Sequence, residues 1–365
     1  MRILIAGGGT AGHVFPALAV ARRLLDDGHE VRFAGTATGQ EADLVASAGL
    51  PFTAVEASPF VRAASFRAAM APLVALRSVA RARPVVAGAD VVLGMGGYVS
   101  VPVALAAARA RVPLVLHEQN AVPGLANRVL ARPARTVALS FLEAARLLPR
   151  RARTVVTGNP VREPILAVAA DRSRLTDEAT RELELDATRR TVVVFGGSQG
   201  ARHVNTAAVD AAARLGDVGI QVILLAGRAH EERVREEIGR RAPVPVRVLP
   251  FLERMELAYA AADLVVSRAG ATTIAEVSVC GVPSVLVPYP YATGRHQDAN
   301  ARALERAGGA TVILDDELNG AVLAQRIREL LDDRSRLATM GDRARAWSKP
   351  AAAESLARAV VGSAR

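Results

Sequence analysis

Along the chain, short apolar and often β-branched runs recur between longer stretches whose apolar positions fall at helical spacing. "RILIAG", "EVRFAG", "VVLGMGG", "VPLVLHEQ" and "RTVALS" predict strands in the first half, with amphipathic helices such as 14–27 and 98–109 between them. A second series begins at "RTVVVFGGSQG" and runs through "IQVILLAG", "VRVLPFL", "ADLVVSRAG" and "PSVLVPYP". Alternation of this kind builds βαβ units, so the expected class is α/β with doubly wound parallel sheets. The halves echo each other, since "IAGGGTAGHVFPALAVARRL" and "VFGGSQGARHVNTAAVDAAARL" both run strand, glycine turn, helix. Prolines in "VTGNPVREPIL" place a hinge near Pro160–Arg162. The expected domains are therefore 1–161, rejoined by a last helix over about 344–365, and 162–343.

Composition narrows the class. The chain has 365 residues, 51% of them hydrophobic, more than one compact core usually holds. Its 46 basic and 36 acidic residues give a net charge of +10, which favours anionic partners: nucleic acid, nucleotides or an anionic membrane surface. Only 4% of residues are aromatic and no zinc-finger, RNP-like or basic-zipper pattern is present, which argues against nucleic acid. Cys280, the single cysteine, sits in the apolar stretch "AEVSVCGVPSVLV" and reads as a buried structural thiol. The chain opens directly on a strand, with no sign of a signal peptide. "VSVPVALAAARARVPLVL" is broken by Pro102, Arg109, Arg111 and Pro113, so the expectation is a soluble or peripheral protein.

Gly7, Gly9 and Gly12 fall at the spacing of a dinucleotide-binding turn. Such a site needs an acid at the end of the second strand, and "EVRFAGTATG" ends in Ala34, Gly35 and Thr36, which weakens a dehydrogenase reading. The turn can still aim backbone N–H groups at an anion such as a pyrophosphate. His13 follows in the first helical turn, where the dipole favours a neutral imidazole able to act as general base, or simply caps the turn. Gly94, Gly96 and Gly97 form a second turn, with hydroxyls on Tyr98 and Ser100. Four polar residues, His117, Glu118, Gln119 and Asn120, follow an apolar strand and point to the substrate cleft of an open sheet.

In the second half, Gly196, Gly197, Ser198, Gln199 and Gly200 lie between strand and helix and can hold a diphosphate. Glu276, expected near the start of the helix after Gly270, can accept from both hydroxyls of a ribose. His296, Gln297 and Asn300 could read sugar hydroxyls. No DxD triplet or other metal site stands out; Asp315–Asp316 and Asp332–Asp333 look like helix-boundary acids.

The ordered motifs "GGGTAGHVFPALAVA", "ADVVLGMGGYVSVP", "LHEQNAVPGLANR", "VTGNPVR", "FGGSQGAR", "SRAGATTIAEV" and "RHQDANA" resemble the MurG family, the UDP-N-acetylglucosamine:lipid I N-acetylglucosaminyltransferases, over nearly the whole chain. The resemblance implies GT-B architecture, two Rossmann-like domains facing a cleft, with no cofactor and no metal. It implies UDP-N-acetylglucosamine at Thr10, Ala11, Gly12, Asn120, Arg162, Ser198, Leu252, Ala271, Thr272, Thr273, Ile274, Ala275, Glu276 and Gln297. It also implies lipid I in the first domain, its pyrophosphate against the turns Gly7, Gly8, Gly9 and Gly94, Gly96, Gly97, with Tyr98 and His117 nearby. Ala11 stands where many members have glycine, and His296 where some have glutamine. Other GT-B UDP-sugar enzymes, glycolipid transferases or epimerases, share the plan but not this motif set.

The implied reaction is an inverting displacement that forms lipid II, with His13 as base and Glu118 in reserve. Residues 59–83 interleave Phe60, Phe66, Met70 and Leu73 with Arg62, Arg67, Arg77 and Arg81, and read as an interfacial segment for anionic lipid or as an ordinary surface helix. The expected place is the cytoplasmic face of the bacterial membrane, held peripherally.

Overall fold

A computed structural model describes residues 1–9, 11–37, 40–57, 77–197, 200–216 and 219–364. The chain divides into two compact units, Met1–Arg162 with Lys349–Arg365, and Glu163–Ser348.

In the first unit, β1 (Arg2–Ala6), α1 (Ala11–Asp26), β2 (Glu30–Gly35), α2 (Gln40–Ser47) and β3 (Phe52–Ala54) are followed by a helical stretch over 77–86, α3. Then come β4 (Val91–Gly94), α4 (Gly97–Ala110), β5 (Leu114–Glu118), α5 (Leu125–Leu130), β6 (Thr136–Leu139) and β7 (Thr154–Val156). All strands run parallel in the order β3-β2-β1-β4-β5-β6-β7. Strands such as β5 are buried on both faces because helices cover the sheet on both sides, which is why they read as continuous apolar runs. Val99, Val103 and Ala107 of α4 pack on one face. Ala17, Val20 and Leu24 of α1 pack on the other, with Leu356 and Val360 of the last helix, α15 (Ala352–Ala364).

The second unit contains α6 (Glu163–Ala170), α7 (Arg172–Glu182), β8 (Arg190–Phe195), α8 (Arg202–Leu215), β9 (Ile220–Leu225), α9 (Glu231–Arg241) and β10 (Val246–Leu249). It continues with α10 (Met255–Ala261), β11 (Leu264–Ser267), α11 (Ala271–Cys280), β12 (Ser284–Leu286), α12 (His296–Arg306), β13 (Ala310–Val312), α13 (Gly320–Asp332) and α14 (Arg334–Trp347). Its six strands, also parallel, run β10-β9-β8-β11-β12-β13. Each sheet therefore reverses strand order once, between β1 and β4 and between β8 and β11, and ligands of doubly wound sheets bind at such a switch point.

Three short edge strands, β3, β7 and β13, went unpredicted. The last helix starts at Ala352 and not near Ala344, because α14 ends at Trp347 and Pro350 follows. Of the basic segment 59–83, residues 59–76 lie outside the described residues; 77–83 belong to α3, where Arg81 pairs with Glu56. Among the described residues no helix is long and apolar enough to cross a membrane.

Candidate active site

At the switch point of the first sheet, the turns after β1 and β4 meet. Met95 N–H donates to Ala6 O at 2.8 Å and Gly7 N–H to Ala34 O at 3.2 Å, which ties both turns to strand ends. Gly96 has φ of +88°, a backbone that favours glycine, and a Cβ there would lie 3.5 Å from His13 Cδ2 and 3.8 Å from Asn127 Nδ2. The second turn thus passes beside the His13 imidazole. The structure gathers His13, Gly96, Gly97, His117, Glu118 and Asn120 around one recess of about 70 Å³, completed by Met95, Gln119, Gly124, Ala126 and Asn127. Tyr98 packs instead against Gly9, its ring 3.2 Å from where a Cβ would stand. Gly94 backs onto Leu116 within the sheet.

The polar run after β5 turns inward. Glu118, 3% exposed, accepts through Oε1 from Asn120 N–H at 2.9 Å, and through Oε2 from Gly124 N–H at 3.1 Å and Asn127 Nδ2 at 2.8 Å. Burial raises its pKa and these N–H donors oppose the rise. The carboxylate folds the 118–127 loop around itself. His117 is fully buried, with Nε2 3.1 Å from Gly158 O and 3.3 Å from Ser140 Oγ. A carbonyl only accepts, so Nε2 carries the proton and Nδ1 is the acceptor. Burial pushes this imidazole down to about 4, helped by the nearby His13, so it is neutral at pH 7.

Glu41 was missed by the sequence reading. It is buried at the head of α2 and accepts from Gly9 N–H at 3.3 Å, Thr36 N–H at 2.9 Å and the Thr36 hydroxyl. A side chain at Gly8 would collide with it. Its desolvation is outweighed by these donors, so its pKa falls below the usual carboxylate range. No local pattern in "GQEADLV" shows that this acid reaches back to the first glycine turn. Thr10 lies outside the described residues. Ala11 and Gly12 open α1, and Arg162 holds its guanidinium 4.3 Å from the Phe15 ring centroid.

In the second unit, Gly270 precedes α11, whose first turn offers N–H groups to an anion at the sheet's switch point. Ala271 and Ile274 are buried, so contacts there fall to backbone, while Thr272, Thr273 and Ala275 are half-buried. Glu276 stands in the middle of α11, not near its start, and is 6% exposed. It accepts from Tyr259 O–H at 2.9 Å. Gln297 Oε1 accepts from Tyr289 N–H at 3.0 Å, and Asn300 Nδ2 donates to Ala269 O at 3.4 Å. Burial lowers the pKa of the half-buried His296. Leu252 is half-buried beside the exposed Phe251. Ser198 and Gln199 lie outside the described residues. Asp315 is no simple helix-boundary acid: it pairs with the buried Arg268 and, at 3.1 Å, with His203 Nδ1. Asp333 does cap α14, accepting from Arg336 N–H at 2.9 Å. Cys280 is buried and its thiol pKa is pushed up, as a structural role requires. Among the described residues no cluster of His, Cys, Asp or Glu could hold a metal ion.

Residues 3–139 match the glycosyltransferase family 28 N-terminal domain and residues 191–356 its C-terminal domain. The UDP-N-acetylglucosamine–N-acetylmuramyl-(pentapeptide) pyrophosphoryl-undecaprenol N-acetylglucosamine transferase of Halothermothrix orenii is 40% identical over 100% of both chains. That of Moorella thermoacetica is 43% identical over 99% of this chain and 98% of its own. The crystal structure of Acinetobacter baumannii MurG superposes with a TM-score of 0.79, at 31% identity over 99% of each chain. A UDP-GlcNAc 2-epimerase from Neisseria meningitidis shares the fold, with a TM-score of 0.69 at 12% identity over 99% of this chain and 100% of its own.

Proposed function

Since this chain belongs to glycosyltransferase family 28 and, within it, to the N-acetylglucosamine transferases acting on N-acetylmuramyl-(pentapeptide) pyrophosphoryl-undecaprenol, we propose that it moves N-acetylglucosamine from UDP-N-acetylglucosamine to the C4 hydroxyl of that acceptor. The product is lipid II, the β-1,4-linked disaccharide on its lipid pyrophosphate. In this inverting step the C4 oxygen attacks the anomeric carbon, the bond to UDP breaks with its electron pair leaving on the diphosphate, and the hydroxyl proton passes to a base.

His13 takes that proton. The observation that carries this reading is its imidazole beside Gly96, on the recess at the first sheet's switch point. A positioned base contributes about 10²–10⁴-fold. Glu118, committed to the N–H donors of its own loop, acts as a positioning residue; an O–H on it would face those donors. In the second unit, Glu276 receives the ribose diol, the first turn of α11 meets the diphosphate, and Leu252 and Gln297 complete the donor site. Ser198, Arg162, Asn120 and the Thr10–Gly12 turn contribute to the same donor, and the acceptor pyrophosphate lies along the Gly7–Gly9 and Gly94–Gly97 turns. Residues 1–161 with the last helix hold the acceptor and 162–343 the donor. The acceptor's lipid requires work at a bilayer, and the basic segment 59–83 supplies the peripheral contact with the anionic cytoplasmic leaflet.

The test is release of UDP from UDP-N-acetylglucosamine with and without a lipid I analogue, for the wild type and His13→Ala. The proposal expects acceptor-dependent release, slowed at least about a hundredfold in the variant, with donor affinity intact. Near-normal turnover in His13→Ala removes His13 from this role, and release that ignores the acceptor points to a different UDP-sugar reaction.

A further inference from the structure

Three residues that line the recess beside His13 each carry a buried polar atom that no donor or acceptor among the described residues engages: His117 Nδ1, Gln119 Nε2 and Asn127 Oδ1. Native proteins leave few such atoms, because each costs desolvation without return. Three lining residues of one small recess with such atoms describe the hydrogen-bonding pattern of something that enters it. Their polarity is readable. Asn127 donates through Nδ2 to His117 O at 3.2 Å and Glu118 Oε2 at 2.8 Å, so its Oδ1 is the remaining acceptor. His117 Nε2–H is held by Gly158 O, so Nδ1 is a second acceptor. Gln119 Nε2 supplies the donor.

One donor among acceptors, next to the Glu118 carboxylate, is unfavourable for an anion. The acceptor's pyrophosphate, placed above along the glycine turns, therefore stays outside the recess that Gly96 and Gly97 help to line. A secondary amide matches it, since its carbonyl needs a donor and its N–H an acceptor. We propose that Gln119 and Asn127 read the acetamido group of the acceptor sugar, Gln119 Nε2–H donating to its carbonyl and Asn127 Oδ1 accepting from its N–H. The inference rests on the transferase reading above and adds two specificity-determining residues to it. About 70 Å³ is room for several heavy atoms and not for a whole sugar, which suits a substituent pressed in from a ring seated outside. His117 Nδ1 then accepts from a hydroxyl of the same ring. The donor sugar carries an acetamido group too, and Asn120 of the same lining is assigned to the donor; the proposal commits to the acceptor, which the first unit holds, and the donor arm of the experiment separates the two.

The experiment crosses a change in the protein with a change in each substrate. Gln119→Leu deletes the donor and Gln119→Glu replaces it with a carboxylate oxygen. Each is assayed with the lipid-linked N-acetylmuramoyl acceptor, with an analogue bearing a C2 hydroxyl, and with UDP-N-acetylglucosamine and UDP-glucose as donors. The wild type should prefer the acetamido acceptor by at least about tenfold in kcat/KM. Both variants should lose that preference, Gln119→Glu most completely, while turning over the C2-hydroxyl acceptor within about twofold of wild type. Preference between the two donors should not change. Equal losses on both acceptors would make Gln119 merely structural, and collapse of donor preference would assign the recess to the donor's amide; either overturns the proposal. If the wild type transfers to neither acceptor while unfolding normally, it is the transferase reading that fails.

Discussion

Glycines of the turn after β1 are held against a carboxylate, whereas the described glycines of the turn after β8 are held against a carbonyl and an alanine. Gly9 N–H donates to the Glu41 carboxylate, and Glu41 fills the space where a side chain at Gly8 would go. In the second unit, a side chain at Gly200 would strike Ala226 O, and one at Gly196 would strike the head of α8 at Ala201. One sequence pattern is thus fixed in two ways, and the electrostatic outcomes differ. The first unit places two buried carboxylates, Glu41 and Glu118, among its own N–H groups. With Glu118 in its lining, the recess is the proposed seat of neutral amide and hydroxyl groups, and the acceptor pyrophosphate proposed at the first turn would lie beside Glu41. In the second unit the buried Glu276 carboxylate rests against a tyrosine hydroxyl, and the buried Glu256 accepts from Arg254 Nε at 3.0 Å.

The largest effect expected from this contrast is at Glu118. Glu118→Ala strands several buried N–H donors at once and should destabilise the first unit by about 3 kcal/mol or more, seen as an earlier transition in urea. Glu118→Gln, which keeps one acceptor oxygen, should cost less. Unchanged stability with lost turnover would return Glu118 to a direct chemical role.

Next is a pH effect. His117 titrates near 4 in the folded chain against about 6.5 unfolded, so between these values the unfolded chain binds the extra proton and stability falls as pH falls. Acidification from pH 7 to 4 should remove about 3 kcal/mol through this group, and His117→Asn should remove that component of the slope. Glu41 is the smaller counterpart. Its pKa is depressed, so its contribution is present above the unfolded value and is lost as pH falls through the folded one. Glu41→Gln should cost about 1–3 kcal/mol, and KM for a pyrophosphate-bearing acceptor should fall as a buried negative charge leaves the turn. A higher KM would show that holding the turn matters more than its charge.

These residues also mark how far the sequence could be read. Apolar strands covered by helices on both faces produce unmistakable runs, so the central strands and the class were legible. The edge strands were not: β7, for example, has three residues, all exposed, and no burial pattern to find. At the site, the glycine turns and the polar run at 117–120 stood out because polar residues after an apolar strand need a reason. Glu41 did not, since it acts 32 residues back along the chain. Asn127 was hidden in an ordinary helix, "LANRVL", because its role depends on the loop that Glu118 folds.

The smallest expected effect tests the other half of the contrast. Tyr259 is fully buried on α10, its ring edge-to-face with Phe195 at 6.2 Å between centroids, and its hydroxyl donates to Glu276 Oε2 at 2.9 Å. Tyr259→Phe keeps the ring packing and removes that donor. Stability of the second unit should fall by about 1 kcal/mol. If the hydroxyl orients the carboxylate towards a ribose diol, UDP-N-acetylglucosamine should bind roughly fivefold more weakly in calorimetry, a change of about 1 kcal/mol. The acceptor KM should not move, because this hydrogen bond belongs wholly to the second unit. Loss of stability without loss of donor affinity would instead make Glu276 a carboxylate fixed for the fold, like Glu41 and Glu118, and the distinction between the two units would disappear.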